Sequence, residues 1–225
     1  MFDDGRIFPV LKDLLDETKA QSFLQMFGFA DWKAARTVLR RMESRDRQGL
    51  SAILSFLMAA LGSAPDPDRS LVNFERFTDA YGPELFLELE KNPRVIEILA
   101  TLFSASPFLT EILLRTPDAL KLLNNRQALT ERKTIEQFQT EAISAARSFE
   151  SDGEKLDALR RYQRRQFLRI GTNDFLGLYD LQAVFSQLSR MAIGLVRACL
   201  VLAAQQTGIA PGGFTVLAMG KLGGW

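Results

Sequence analysis

Apolar side chains recur every three or four residues through most of this chain. Leu11, Leu14, Leu15, Thr18 and Phe23 share one helical face. Ala34, Ala35, Val38, Leu39 and Met42 share another, behind Asp31, whose short acceptor side chain suits a helix N-cap. A third segment, 47–61, runs to Gly62 and the Pro65-Asp66-Pro67-Asp68 break, after which Asp68 or Ser70 is expected to cap a helix carrying Leu71, Phe74, Phe77 and Tyr81. Gly82-Pro83, Asn92-Pro93, Ser106-Pro107 and Thr116-Pro117 punctuate the next forty residues or so. Proline lacks the N–H that an inner helical turn requires but is at home in the first turn, so each pair marks a boundary. The spacing predicts short helices over 95–103, 108–114 and 119–123 and a polar loop at 124–127. It then predicts an exposed amphipathic helix over 130–149 and two long helices over 154–171 and 179–206. Phe74, Phe77, Phe86 and Phe103 read as core. No segment repeats at a fixed period.

The rhythm changes after Gly208. Ile209-Ala210-Pro211-Gly212-Gly213 is a turn-rich joint, and Phe214–Met219 is short, apolar and flanked by glycines, as a buried strand would be. A buried strand needs partners for its N–H and C=O groups, and the helix-patterned remainder offers none. The expected fold is therefore mainly α: a multi-helix domain over 1–207, then at 208–225 the first strand and glycine loop of a truncated α/β domain.

Composition narrows the chemistry. The 225 residues carry 28 basic and 27 acidic side chains, a formal charge of +1, which argues against a nucleic-acid partner. Histidine is absent and Cys199 is the single cysteine, so an intrachain disulfide, a His/Cys zinc site and any histidine-dependent triad are excluded. Cys199 falls in the apolar run 195–204 and is expected to be a small buried hydrophobe. Scattered carboxylates such as Asp3-Asp4 and Glu88/Glu90 have no ligating neighbours in the sequence and read as surface. The first residues lack the basic and apolar regions of a secretion signal. Of the two longest apolar runs, 50–61 is too short to span a bilayer and Arg197 interrupts 191–204, so both are expected to be core helices of a soluble, cytoplasmic protein with no membrane partner.

Two segments could carry chemistry. Gly220-Lys221-Leu222-Gly223-Gly224 comes directly after the expected strand, and glycines there let backbone N–H groups approach a phosphate, with Lys221 adding charge. A Walker A loop is excluded, because Leu222 and Val216 stand where that motif needs Ser or Thr and Gly. The second segment is an arginine cluster, Arg160, Arg161, Arg164, Arg165 and Arg169, with 161, 165 and 169 in one i, i+4 row. Like charges at that spacing call for anions, either carboxylates of a neighbouring segment or phosphates. Leu156, Leu159, Phe167 and Ile170 would supply the buried side, and Tyr162 a stacking surface of the kind used on single strands. A solvated face paired with acidic residues is the simpler account of the same cluster.

Several segments together resemble one family. Phe214–Gly224 is similar to the strand and loop that open each nucleotidyltransferase domain of the bifunctional glutamine synthetase adenylyltransferases. Leu159-Arg-Arg-Tyr-Gln-Arg-Arg-Gln-Phe-Leu-Arg-Ile170 resembles their arginine-rich helix, and Asp174–Leu181 and Leu188–Ala192 the segments after it. Ser106-Pro-Phe-Leu109, Leu114–Pro117, Asp66–Asp68 and Leu71–Glu75 match in the same order. The resemblance implies an enzyme of two similar halves, one adding AMP from ATP to a glutamine synthetase tyrosine and the other removing it by phosphorolysis. It implies Mg²⁺ and ATP or phosphate as cofactors, and glutamine synthetase and a PII signalling protein as partners. It implies nucleotide or phosphate binding at Gly220, Lys221, Gly223 and Gly224. The family's paired metal-binding aspartates lie beyond Trp225, so this chain alone is expected to be inactive. Its start at Met1 and single glycine loop point to the N-terminal, adenylyl-removing half. The competing expectation is a non-catalytic helical interaction module acting through the arginine face.

Overall fold

The computed structural model of the chain describes residues 16–209, 212 and 215–218. The described residues are helical with short connections, and no strand occurs among them. The chain divides into two compact units, Met1–Arg126 and Gln127–Trp225, so the expected helical region is itself bipartite.

The first unit contains α1 (Glu17–Met26), α2 (Trp32–Arg45), α3 (Arg47–Ser63), α4 (Pro67–Tyr81), α5 (Leu85–Lys91), α6 (Arg94–Ala105), α7 (Pro107–Arg115), a 3-10 turn (Pro117–Ala119) and α8 (Leu120–Asn124). Its boundaries come from capping chemistry. Asp31 accepts the Ala34 N–H at 3.0 Å, Asp46 the Gly49 N–H at 2.8 Å, and Ser106 the Leu109 N–H at 3.2 Å. Each occupies one of the orphan donors of a first turn. Pro67 and Pro107 sit directly after their caps, where a missing N–H costs nothing.

The cap of α4 is Asp66, which accepts the Arg69 N–H at 2.9 Å, and neither Asp68 nor Ser70 takes that role. Asp68 instead accepts the N–H groups of Ala30 and Asp31 at 2.8 and 3.1 Å, pinning the turn before α2. Ser70 is fully buried and donates to the Ala100 carbonyl at 3.0 Å, while Asn73 donates to the Phe103 carbonyl at 3.0 Å. These bonds tie α4 along α6, the helix that also meets α3, α5, α7 and α8. The core is the one expected: Phe74, Phe77, Phe86 and Phe103 are buried, with Phe103 edge-on to Phe74 and tilted against Phe77. Helix α3 buries seven positions, Leu50 to Leu61, as its apolar run predicts.

The polar stretch after α8 is not a loop through 127. It shortens to Asn125, and α9 (Arg126–Thr130) begins at once. The second unit is then built from α10 (Ile135–Arg147), α11 (Asp152–Phe175) and α12 (Leu181–Thr207), each in contact with the other two. Thr134 and Gln137 form a reciprocal capping box at the start of α10. That helix is more than an exposed surface element, since Phe138, Ala142 and Ala146 are fully buried at its contact with α11 and α12. Gly194 sets the close approach of α12 to α10: a Cβ there would stand 2.6 Å from Phe138 Cβ and 2.9 Å from the Ile135 carbonyl oxygen. Gly208 ends α12 in the left-handed conformation, φ 67°.

Among the described residues α12 is the one helix long and apolar enough to cross a membrane, by length and composition alone. It buries a stripe of Ala183, Val184, Gln187, Met191, Gly194, Ala198 and Leu202, while Leu181, Phe185 and Val196 are exposed. It is thus a surface helix with one packed face rather than a fully enclosed core helix. Cys199 lies on its exposed side, contrary to the expected burial, because Ala198 takes the inward position on that turn. Residues 215–218, the described part of the expected strand, are unpaired and exposed, with Leu217 at 80%.

Candidate functional site

The glycine loop Gly220, Lys221, Gly223 and Gly224 lies outside the described residues, as do Asp3 and Asp4. The arginine cluster lies wholly on α11, and its five members do not share one environment. Arg160 is exposed and pairs with Asp157 at 2.8 Å, one turn back. Arg161 is exposed, its guanidinium 5.5 Å from the centre of the Phe149 ring. Arg164 is half-buried and Arg165 exposed. Arg169 is 1% exposed and is the largest fully buried side chain described. The row 161, 165, 169 therefore does not form a continuous anion-facing surface. Its last member points into the second unit.

There Arg169 organises a polar network. Its Nε donates to Gln166 Oε1 at 2.8 Å, one terminal nitrogen to Gln187 Oε1 at 2.9 Å, and the other to the Glu131 carbonyl and to the Tyr179 hydroxyl. The Phe138 ring centre lies 5.6 Å from the guanidinium. Among the described residues no carboxylate pairs with Arg169. A buried cation is tolerated only when its donors are engaged, and here neutral oxygens accept four hydrogen bonds from it while a ring face lies alongside.

The network's target is the segment 131–134 between α9 and α10. Tyr179 donates to the Thr130 and Glu131 carbonyls, at 3.2 and 2.8 Å. Gln187, 1% exposed, accepts the Lys133 N–H at 3.0 Å and donates to the Lys133 carbonyl at 2.9 Å, closing the pair as a strand partner would. The Lys133 ammonium, largely buried, donates to both oxygens of Glu141 at 2.6 Å. Tyr162 donates to Glu141 Oε2 at 2.9 Å, so its hydroxyl and half-buried ring are committed to this cluster and the expected stacking surface is absent. Burial, and after it the charge of Glu141, pushes the Tyr162 phenol well above its ordinary range.

Sequence reasoning missed Lys133, Tyr179 and Gln187 as members of this cluster. A signal existed: Gln166, Arg169 and Asn173 recur at 3 and 4 spacing on the same side as buried Ile170, and Gln187 lies in the stripe of Ala183 and Met191. Leu156, assigned to the buried side of α11, is 50% exposed, whereas Leu159 and Ile170 are buried as expected. Among the described residues no group of three or more Asp, Glu, Cys or His could hold a metal ion.

The chain is 30% identical over 227 residues to the bifunctional glutamine synthetase adenylyltransferase/adenylyl-removing enzyme of Xanthobacter autotrophicus, covering 93% of this chain and 23% of that protein. It is 27% identical over 233 residues to the enzyme of the same description from Streptomyces coelicolor, again 93% and 23%, and 25% over 190 residues to that of Nocardia farcinica, 80% and 19%. The chain thus spans about a fifth to a quarter of the length of these curated relatives. No solved structure matches. Residues 96–225 match the family model described as glutamate-ammonia ligase adenylyltransferase, a stretch that includes the whole Arg169 network, and the chain belongs to that family.

Proposed function

We propose that this chain is the helical region, with the beginning of a nucleotidyltransferase domain, of a cytoplasmic enzyme that adenylylates and deadenylylates glutamine synthetase. The observation that carries the reading is the family match over 96–225, which runs from α6 through the described helices to the glycine loop. The relatives' names add that they act on glutamine synthetase in both directions. We assign the chain to the half that removes AMP by phosphorolysis, with a PII protein as regulator of the parent enzyme. Helices α10 to α12 would brace the domain that begins after Gly208 and would help to dock glutamine synthetase. Domain limits of 1–207 and 208–225 belong to the same reading.

In the parent, Gly220, Lys221, Gly223 and Gly224 would form part of the turn that receives ATP or phosphate, with Mg²⁺ neutralising charge on the transferred group. The family resemblance implies that Mg²⁺ in the parent would be held by a pair of aspartates that follows the glycine loop. Taken alone, the chain is therefore expected to neither add nor remove AMP. The test is incubation with adenylylated glutamine synthetase, phosphate and Mg²⁺, with ADP formation as the readout. We expect none from this chain and turnover from the full parent. Turnover by the chain alone would overturn the proposed division of labour, and a parent that leaves adenylylated glutamine synthetase untouched would overturn the functional assignment.

A further inference from the structure

The pinned segment 131–134 leaves one side chain outside its own network. Glu131 and Lys133 are held through their backbones, and Arg132 between them faces a cleft of about 360 Å³ in the second unit. The cleft's other wall is the first three turns of α12, where Gln182, Ser186 and Arg190 line it above Gln187. Volumes of this order accommodate a small ligand rather than a macromolecular segment.

Its electrostatics are asymmetric. Among the described residues neither Arg132 nor Arg190 forms an ion pair, although the chain pairs other arginines with nearby carboxylates. The Arg132 guanidinium lies 5.3 Å from the Tyr179 ring centre, and the Tyr179 hydroxyl is fixed by the Thr130 and Glu131 carbonyls. The ring is thus a rigid platform for the cation, and the backbone that carries Arg132 is clamped by Gln187. Arg132 is exposed, but the ring beside its cation and the held backbone beneath it limit where the guanidinium can go, which lowers the ordering cost of binding. Asp180 is the one acidic residue on the cleft wall, and its Oδ1 accepts the Ala183 N–H at 2.7 Å as the cap of α12. Two guanidiniums against one engaged carboxylate leave a net positive cleft, with hydroxyl and amide donors at Ser186 and Gln182. Planar guanidinium forks suit tetrahedral phosphate oxygens, which accept two parallel N–H bonds.

We propose that this cleft is a binding site for a phosphate dianion, free or as the terminal group of a nucleotide, and that it is separate from the glycine loop. Phosphate would bridge Arg132 and Arg190, with Ser186 and Gln182 completing the donor set.

The full chain provides the test, by calorimetric titration at low ionic strength with inorganic phosphate and, separately, with AMP. Saturable binding of either probe is expected. It should weaken about tenfold or more in Arg132→Gln and in Arg190→Gln, by the loss of a charge-assisted pair. It should survive in Lys221→Ala. Stronger binding of AMP than of phosphate would identify a nucleotide as the source of the group, and equal binding would identify the free anion. Unaltered helical circular dichroism is the folding control for each variant. Binding lost in Lys221→Ala but kept in Arg132→Gln/Arg190→Gln would place phosphate on the glycine loop, supporting that part of the functional reading and overturning the cleft. Absence of saturable binding to both probes would also overturn it.

Discussion

The two units solve the same problem, packing helices into a core, with different material. Around α6 the first unit relies on shape: Phe74, Phe77 and Phe103 interlock with aliphatic side chains, and buried polar groups such as Ser70 and Asn73 bond backbone carbonyls one at a time. The second unit has small apolar clusters, around Phe138 with Ile170 and around Ala142 with Ala198, and inserts between its elements a connected set of long polar side chains centred on Arg169. An apolar core accepts any side chain of suitable volume. A hydrogen-bonded polar network accepts only the group whose donors fit, because each unmatched partner is left dry.

That contrast can be broken by experiment. In the first unit Phe103→Ala should lose about 3–5 kcal/mol in chemical denaturation, whereas Phe103→Leu should lose under about 1.5. In the second, Arg169→Met should lose about 1–3 kcal/mol, and Arg169→Lys should recover little of it, since one ammonium cannot reach Gln166, Gln187 and the Glu131 carbonyl together. A neutral or more stable Arg169→Met would erase the distinction, as buried charges elsewhere have been replaced by apolar side chains without loss. Gly194→Ala should lose about 1–3 kcal/mol because the added methyl meets the Phe138 Cβ and the α10 backbone; hydrogen exchange should localise the loss to α10 and α12. Asp66→Ala, which removes one cap at the start of α4, should lose about 1 kcal/mol, with the loss confined to the first unit in the same exchange measurement.

The smallest effect is a pH dependence. Folding holds Tyr162 protonated beyond its ordinary range near pH 10, so above that value the unfolded chain releases a proton that the folded chain retains. Stability contributed by this group is complete below pH 10 and declines as pH rises through the folded value. Tyr162→Phe should flatten the alkaline limb of the stability curve, and an unchanged limb would show that burial beside Glu141 does not hold this proton.

The first unit was largely legible in the sequence because its rules are local. Prolines after Asp66 and Ser106 mark helix starts wherever the chain goes, and the 3 and 4 spacing that selects Phe74 and Phe77 needs no knowledge of a partner. The same reasoning gave the cap of α4 to Asp68 or Ser70 and passed over Asp66, since Asp66 and Asp68 are equally good caps by type and only the distant turn at Ala30 decides between them. In the second unit the pattern misled where a polar residue lies inside. Arg169 continues an exposed-looking row, and nothing within α11 reveals the oxygens of residues 131, 179 and 187 that accept its donors. Cys199 failed for a simpler reason: an apolar run contains outward positions too. Of the network in the second unit the sequence singled out Arg169 and Tyr162 and passed over Lys133, Tyr179 and Gln187, whose partners are distant in the chain.

Gln187 reaches back across 54 residues to fix Lys133. At elongation rates of about 5–20 residues per second, roughly 3 to 11 seconds separate synthesis of the segment from synthesis of its clamp. Arg132 thus acquires its final bearing only once the opening of α12 has left the ribosome. A nascent chain halted before that point would carry a completed first unit and a cleft that has not yet come into being.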